Sequence, residues 1–240
     1  MSFYGNHVLP HVINLSMRNR DLLPYRQRAL SSATGRVLEI GVGSGLNLAL
    51  YPTRVREIVG LEPAQRLAAM ARRTAMGLSI ATDFVEASAE SIPLEDHSVD
   101  TVVTTWTMCS IPDLSTALRE MHRVLKPGGQ LLFVEHGQAP EERVRKWQDR
   151  LTPVWKCIGG GCHLNRPIPA LIEQGGFTIT KIDTGYMRGP KAMTFMYEGR
   201  ARPASTKPDE GDDALQPCRQ DARPYELNAS RQSRLSPRRP

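Results

Sequence analysis

At 240 residues, 40% of them hydrophobic, the chain can bury one substantial core, and one domain is expected. Its formal net charge of +6 is scattered along the sequence, with no Lys and Arg stripe interleaved with aromatics, so no nucleic-acid partner is implied. No run of 18 apolar residues is present, and no basic segment precedes an apolar core at the N-terminus, so neither a transmembrane helix nor a secretory signal is expected.

In chain order, residues 1–35 read as a helical cap. Pro10 suits a helix start, with Val12, Ile13, Leu15 and Met17 as apolar members, and a second helical piece runs from about Leu22 to Ser31. Tyr4, His7 and His11 are its polar candidates to face a substrate. Residues 36–47 follow, an apolar run (Val37, Leu38, Ile40) ending in Gly41, Gly43 and Gly45. Such a run reads as a buried parallel strand entering a tight turn that a ligand can approach closely. Leu46 to Tyr51 begins a short helix that Pro52 helps to end. A second strand, residues 57–61, leads to Glu62, about 20 residues past the turn, where a carboxylate can take both hydroxyls of a ribose. Pro63 opens a helix over 64–76 with Leu67, Ala68, Ala71 and Ala75 on one face.

A third strand covers 79–86 and a fourth 98–105. Residues 113–125 carry Leu114, Ala117, Leu118, Met121 and Leu125 at helical spacing, with His122 placed at the surface. Lys126-Pro127-Gly128-Gly129 turns the chain into a fifth strand over 130–135. Residues 136–176 form an insertion with a helix over 141–155, Val144, Trp147 and Leu151 on one side, and another helix over 168–174. A sixth strand over 177–182 and a last one over 191–197 follow. From Ala201 onward prolines are spread among charged and small residues without apolar periodicity, so 201–240 is expected to be a disordered tail.

Four cysteines, Cys109, Cys157, Cys162 and Cys218, show no framework spacing. Cys157 and Cys162 flank three glycines and His163 follows, but a zinc site calls for closer pairs and a fourth ligand, so free thiols and no metal are expected.

The glycines miss the dinucleotide fingerprint, because Leu46 stands where its last glycine belongs. Glu39-x-Gly41-x-Gly43-x-Gly45 instead resembles motif I of the class I S-adenosylmethionine-dependent methyltransferases, type 11 group. Ala87-Ser88-Ala89-Glu90-Ser91-Ile92-Pro93-Leu94 resembles the family's adenine loop, with Ser88 in place of the usual Asp, and Leu125-Lys126-Pro127-Gly128-Gly129 is a further family signature. The resemblance implies an α/β fold, a doubly wound, Rossmann-like, mostly parallel sheet of seven strands with the last antiparallel, over 36–200. It implies a cap and an insertion that cover the substrate. For S-adenosylmethionine it implies contacts from Glu39, Gly41, Gly43, Gly45, Asn47, Glu62, Pro63, Ser88, Ala89, Glu90 and Thr105.

The usual site of the transferred methyl group reads Trp106-Thr107-Met108-Cys109-Ser110, without the Asn/Asp-Pro-Pro-Tyr of DNA adenine enzymes. Leu46-Asn47-Leu48 with Tyr51, Met108-Cys109-Ser110, Phe133-Val134-Glu135-His136 and Gly161-Cys162-His163-Leu164-Asn165-Arg166 are similar to alkyl thiol methyltransferases. Phosphatidylethanolamine N-methyltransferases and quinone C-methyltransferases share the scaffold. The expected reaction is methyl transfer to a small acceptor, a thiol first, with a lipid amine or quinone as alternatives, and a non-catalytic cofactor-binding protein as the alternative of another class. A thiol ionises near pH 8.5 and needs little help, and His136 and His163 are the candidate bases. Trp147, Trp155, Ile158 and Leu164 are expected to line an apolar pocket. A cytoplasmic monomer with peripheral membrane contact completes the expectation.

Overall fold

The computed structural model describes residues 8–204; Tyr4, His7, Cys218 and the expected tail beyond residue 204 lie outside the described residues. Two helices come first, α1 (Leu9–Met17) and α2 (Leu23–Leu30). Then follow β1 (Gly35–Ile40), β2 (Val55–Leu61), α3 (Gln65–Ala75), β3 (Ala81–Val85), β4 (Val99–Thr105), α4 (Leu114–Val124) and β5 (Leu125–His136). The described chain continues through α5 (Glu142–Ile158), α6 (Ile168–Gln174), β6 (Phe177–Tyr186), the short α7 (Lys191–Thr194) and β7 (Phe195–Pro203).

The strands form one seven-stranded sheet in the order β3-β2-β1-β4-β5-β7-β6. β1 to β5 pair in parallel, and β7 lies antiparallel between β5 and β6. The chain moves from β1 outward to β2 and β3, then from β4 in the other direction. The carboxyl ends of β1 and β4 therefore flank a topological switch point, where ligands bind in such sheets. Successive residues of the central strands point to opposite faces, and both faces are covered. Leu38, Val102 and Phe133 pack in one cluster with Leu118 and Met121 of α4, while Val37, Val103 and Leu132 pack in another with Ala71 of α3. Continuous apolar runs are what a strand buried on both faces requires.

α4 follows its periodicity: Leu114, Ala117, Leu118, Met121 and Val124 are buried, and Asp113 caps the helix by accepting from the Thr116 amide at 3.1 Å. His122 is half-buried rather than fully at the surface, its ring edge-on to Phe177 with centroids 5.5 Å apart. Three other expectations change. Leu46 to Tyr51 holds a single 3-10 turn, Leu48–Leu50. The last strand starts later and runs further than expected, because β7 pairs with β6 from Phe195↔Tyr186 to Pro203↔Phe177; Ala201, assigned to the tail, is buried within it. The third change concerns α5. Its inward residues are polar, Gln148 and Thr152, while Trp147, Leu151, Val154 and Ile158 are 53%, 40%, 65% and 51% exposed. Gln148 faces backbone instead of side chains: its Oε1 accepts from Ala139 N at 2.9 Å, and its Nε2 donates to the carbonyls of Gly137 and Leu164 at 2.9 Å. A helix laid over loop backbone must satisfy those groups, so its polar face turns in.

Candidate active site

The glycine turn after β1 meets the end of β2. Gly41 and Gly43 have φ of +66° and +58°, the left-handed region that glycine adopts without strain. A Cβ on Gly41 would meet the Thr107 side chain at 2.5 Å, whereas one on Gly43 would meet nothing closer than the Gly41 carbonyl at 3.9 Å. The turn is thus tight on the strand side and open at Gly43. Glu62, 6% exposed, sits beside it. Its Oε2 accepts from the Gly43 amide and its Oε1 from the Ala64 amide, both at 3.0 Å. Burial raises the Glu62 pKa, and the Ala64 and Gly43 amides pull it back. Each oxygen keeps a lone pair for a further donor. An open backbone cradle beside a fixed carboxylate fits the ribose end of S-adenosylmethionine. Pro63 follows, exposed, before α3.

Glu39, Asn47 and Thr105 come together behind this turn with their polar atoms directed at one another. Asn47 Nδ2 donates to Glu39 Oε1 at 2.7 Å and to Thr105 Oγ1 at 3.0 Å, and Tyr51 OH donates to Glu39 Oε2 at 2.9 Å. Burial pushes the Glu39 pKa up to about 7 against the pull of Tyr51, Asn47 and Arg26. Arg26 of α2, 6% exposed, donates to Asn47 Oδ1 at 2.7 Å and lies over the Trp106 ring at 4.9 Å. Trp106, at the end of β4, holds φ at +53°, a conformation costly for a bulky residue and met most often at functional sites.

In the adenine loop Ser88 Oγ donates to Glu90 Oε2 at 2.6 Å and accepts from the Glu90 amide at 3.3 Å, which leaves the hydroxyl one lone pair. Glu90 Oε1 accepts from the Asp113 amide at 2.7 Å, so Glu90 ties the loop to the start of α4. Ala89 between them is buried. Arg123 fixes the loop's continuation through the Ile92 and Leu94 carbonyls at 2.8 and 2.9 Å.

The structure places the two candidate histidines differently. His136 ends β5 with its Nε2 3.0 Å from Cys162 Sγ, and Cys109, His136 and Cys162 each bring one donor atom within 4.8 Å of the others. The neighbouring Cys162 thiol draws the Cys109 pKa well down; burial lowers that of His136, but the Cys109 sulfur outweighs it and raises it. His163 stands outside this group. Its Nδ1 lies 3.1 Å from the Cys109 carbonyl, which can only accept, so Nδ1 carries the proton and Nε2 offers a lone pair. Burial and then Arg166 lower the His163 pKa, so the ring is neutral at pH 7. Arg166 holds the loop after β4 through the carbonyls of Met108 and Ile111. Glu135 holds it from the other side, its Oε1 accepting from the Thr107 and Met108 amides at 3.0 and 3.1 Å.

Arg26, Glu135 and Arg166 were not among the expected residues. Arg26 had a signal: with Leu22, Ala29 and Leu30 it shares the buried side of the cap, so a charge stands on an apolar face. The expected pocket lining is also corrected. Leu164 is buried and Trp155 half-buried, but Trp147 and Ile158 face outward, and exposed His11 makes no part of the geometry above.

Residues 38–133 match the family model of the methyltransferase domain, type 11. A thiol S-methyltransferase of Rattus norvegicus is 34% identical over 151 residues, 61% of this chain and 62% of its own, so the match spans under two thirds of that relative. A phosphatidylethanolamine N-methyltransferase of Cereibacter sphaeroides is 34% identical over 117 residues, 47% of this chain and 57% of its own. Among solved structures, an S-adenosylmethionine-dependent methyltransferase from Mesorhizobium loti superposes with a TM-score of 0.58 at 17% identity, covering 78% of this chain and 99% of that one. Residues 38–133 are thus similar to the type 11 methyltransferase domain, and the strand order, with the glycine turn and Glu62 at the switch point, is that of the class I methyltransferase fold.

Proposed function

We propose that the protein transfers a methyl group from S-adenosylmethionine to a small thiol. One observation carries the cofactor half of this reading: the buried Glu62 carboxylate, fixed by the Gly43 and Ala64 amides beside an open turn at the switch point. Bound there, S-adenosylmethionine supplies an electrophilic methyl group on a sulfonium. The chain's residues then hold and align. Glu62 takes the ribose hydroxyls, the adenine loop from Ser88 to Glu90 lies along the base, and the Glu39–Asn47–Thr105 network keeps the turn and the ends of β1 and β4 in register. Alignment and exclusion of water account for most of the catalysis such a displacement needs. The thiol choice is supported by the relatives' names and by the end of β4, where the apolar and sulfur groups of Trp106, Met108 and Cys109 stand. His163, its Nδ1 on the Cys109 carbonyl, is the candidate base for the thiol proton.

A second reading, a phospholipid amine as acceptor, is favoured by the exposed apolar face of α5, which suits peripheral contact with a lipid surface. The two are separated by incubating the protein with isotopically labelled S-adenosylmethionine and either a panel of small thiols or phosphatidylethanolamine vesicles. Label is expected in the thiols; label only in the lipid replaces the first reading with the second. Glu62→Ala should lower cofactor affinity about tenfold or more, since hydrogen bonds to a charged group are worth roughly 1.5–3 kcal/mol. Calorimetry showing wild-type affinity in a folded variant removes the ribose assignment.

A further inference from the structure

We propose that Cys109, His136 and Cys162 form a binding site for a thiophilic divalent cation, zinc first, with the fourth coordination place left for an outside ligand. The three residues come from three segments: the loop after β4, the last residue of β5 and the loop after α5. Each offers one donor atom, and all three atoms lie within 4.8 Å of one another. Zinc bonds of about 2.3 Å to sulfur and 2.0–2.1 Å to nitrogen put tetrahedral ligand atoms about 3.5–3.8 Å apart, so closure on an ion asks for shifts of about 1 Å or less. Two sulfurs and one imidazole are a soft donor set that selects zinc over magnesium or calcium. The expected absence of a metal rested on Cys157 and Cys162 with His163; in the folded chain Cys157 is exposed and His163 is turned to a carbonyl, while Cys109 and His136 replace them.

The surroundings hold the ligands in place, as metal sites require. Cys109 is fixed by its carbonyl, which accepts from the His163 amide at 2.8 Å, and its loop is clamped by Glu135 and by Arg166, whose Nη2 donates to the Ile111 carbonyl at 2.6 Å. Both cysteines are buried, at 2% and 8% exposure. The adjacent Glu135 supplies a second observation: its Oε2 is buried with no hydrogen-bond partner among the described residues, a polar atom that a cation or a ligand held by it would satisfy. Among the described residues three protein ligands rather than four gather here, the pattern of sites that keep a place open for chemistry.

The use of that place rests on the thiol reading. A thiol bound there gives up its proton to the His163 ring, the candidate base. Its sulfur forms a bond to the methyl carbon as the bond from that carbon to the sulfonium breaks, leaving a thioether product and a neutral cofactor thioether. The metal site itself is tested without any acceptor. The reduced, chelator-stripped full chain is titrated with cobalt(II), then zinc(II). One cobalt per chain is expected, with thiolate-to-cobalt charge-transfer absorption and the visible bands of a tetrahedral site, bleached by one equivalent of zinc. Cys162→Ser, Cys109→Ser and His136→Gln should each weaken binding at least ~10-fold, while Cys157→Ser should not. Calorimetry with S-adenosylmethionine reports folding, and Cys162→Ser alone decides if the other variants do not fold. Absence of the charge-transfer band, a Cys162→Ser variant with the band at undiminished intensity and cobalt affinity, or a Cys109–Cys162 disulfide whose reduction restores no metal uptake overturns the site. A failed titration beside active thiol methylation removes only the metal; zinc bound by a protein inert toward thiols removes only the thiol.

Discussion

Glu39 is a carboxylic acid buried among four polar side chains, and its proton has a thermodynamic consequence. Folded, it holds that proton up to about pH 7; its ordinary value is 4.5. Between those values the folded state binds more protons than the unfolded one, so stability falls as pH rises from about 4.5 to about 7. A shift of that size is on the order of 3 kcal/mol. Glu39→Gln removes the component. The stability difference between wild type and variant, followed by urea unfolding across this window, should therefore move in the variant's favour as pH rises. A difference independent of pH contradicts the assignment. At this scale the sequence was informative where backbone geometry demands a residue type, the glycines at positive φ, and at the carboxylate that ends the next strand. It was silent where side chains from distant segments meet. Cys109, His136 and Cys162 lie in three separate motifs that each carried the family resemblance, but nothing in their spacing brings them together.

Among the elements, α5 departs most from its pattern. Apolar periodicity identified the helix and then pointed the wrong face inward, because what lies beneath it is the backbone of residues 137–139 and 164, which needs donors and acceptors. The exposed stripe from Trp147 to Ile158 is bordered by exposed Arg143, Lys146 and Arg150. An apolar stripe edged by cations is the composition of helices that lie in a membrane interface. Flotation with anionic vesicles should recover the protein at low salt, and Leu151→Asp should cut the bound fraction several-fold while leaving cofactor affinity unchanged. Equal recovery of variant and wild type would assign the stripe to something other than lipid. α3 and α4, which pack against apolar strands, were read correctly because side chains alone decide their orientation.

For the whole molecule, a doubly wound, mostly parallel sheet of seven strands with an antiparallel last strand was readable from the alternation of strands and helices together with the family resemblance, since a parallel sheet of this length has few ways to wind. The C-terminal boundary was not, because the proline-rich composition begins within β7. Strand pairing ends at Pro203, and the Ala204 amide closes onto the Gly176 carbonyl at 2.8 Å. A chain cut after Ala204 should keep its melting temperature within a few degrees and its cofactor affinity within about twofold, as read by differential scanning fluorimetry and calorimetry. Aggregation of that shortened chain, or loss of its thermal shift with cofactor, would give residues 205–240 a structural part.

α2 rests on the far end of the domain. Ala29 packs with Val134 and Met196, and Arg28 holds the Glu198 carboxylate at 2.7 Å across 170 residues of sequence. The same helix supplies Arg26 to the network behind the glycine turn. During synthesis, therefore, the first helices leave the ribosome long before the strand that seats them. A nascent chain stalled before Phe195 can already pack Leu30 against Val37 and Leu48 and reach Asn47 through Arg26, but α2 then lacks the Met196 contact and the Glu198 ion pair that complete its seat.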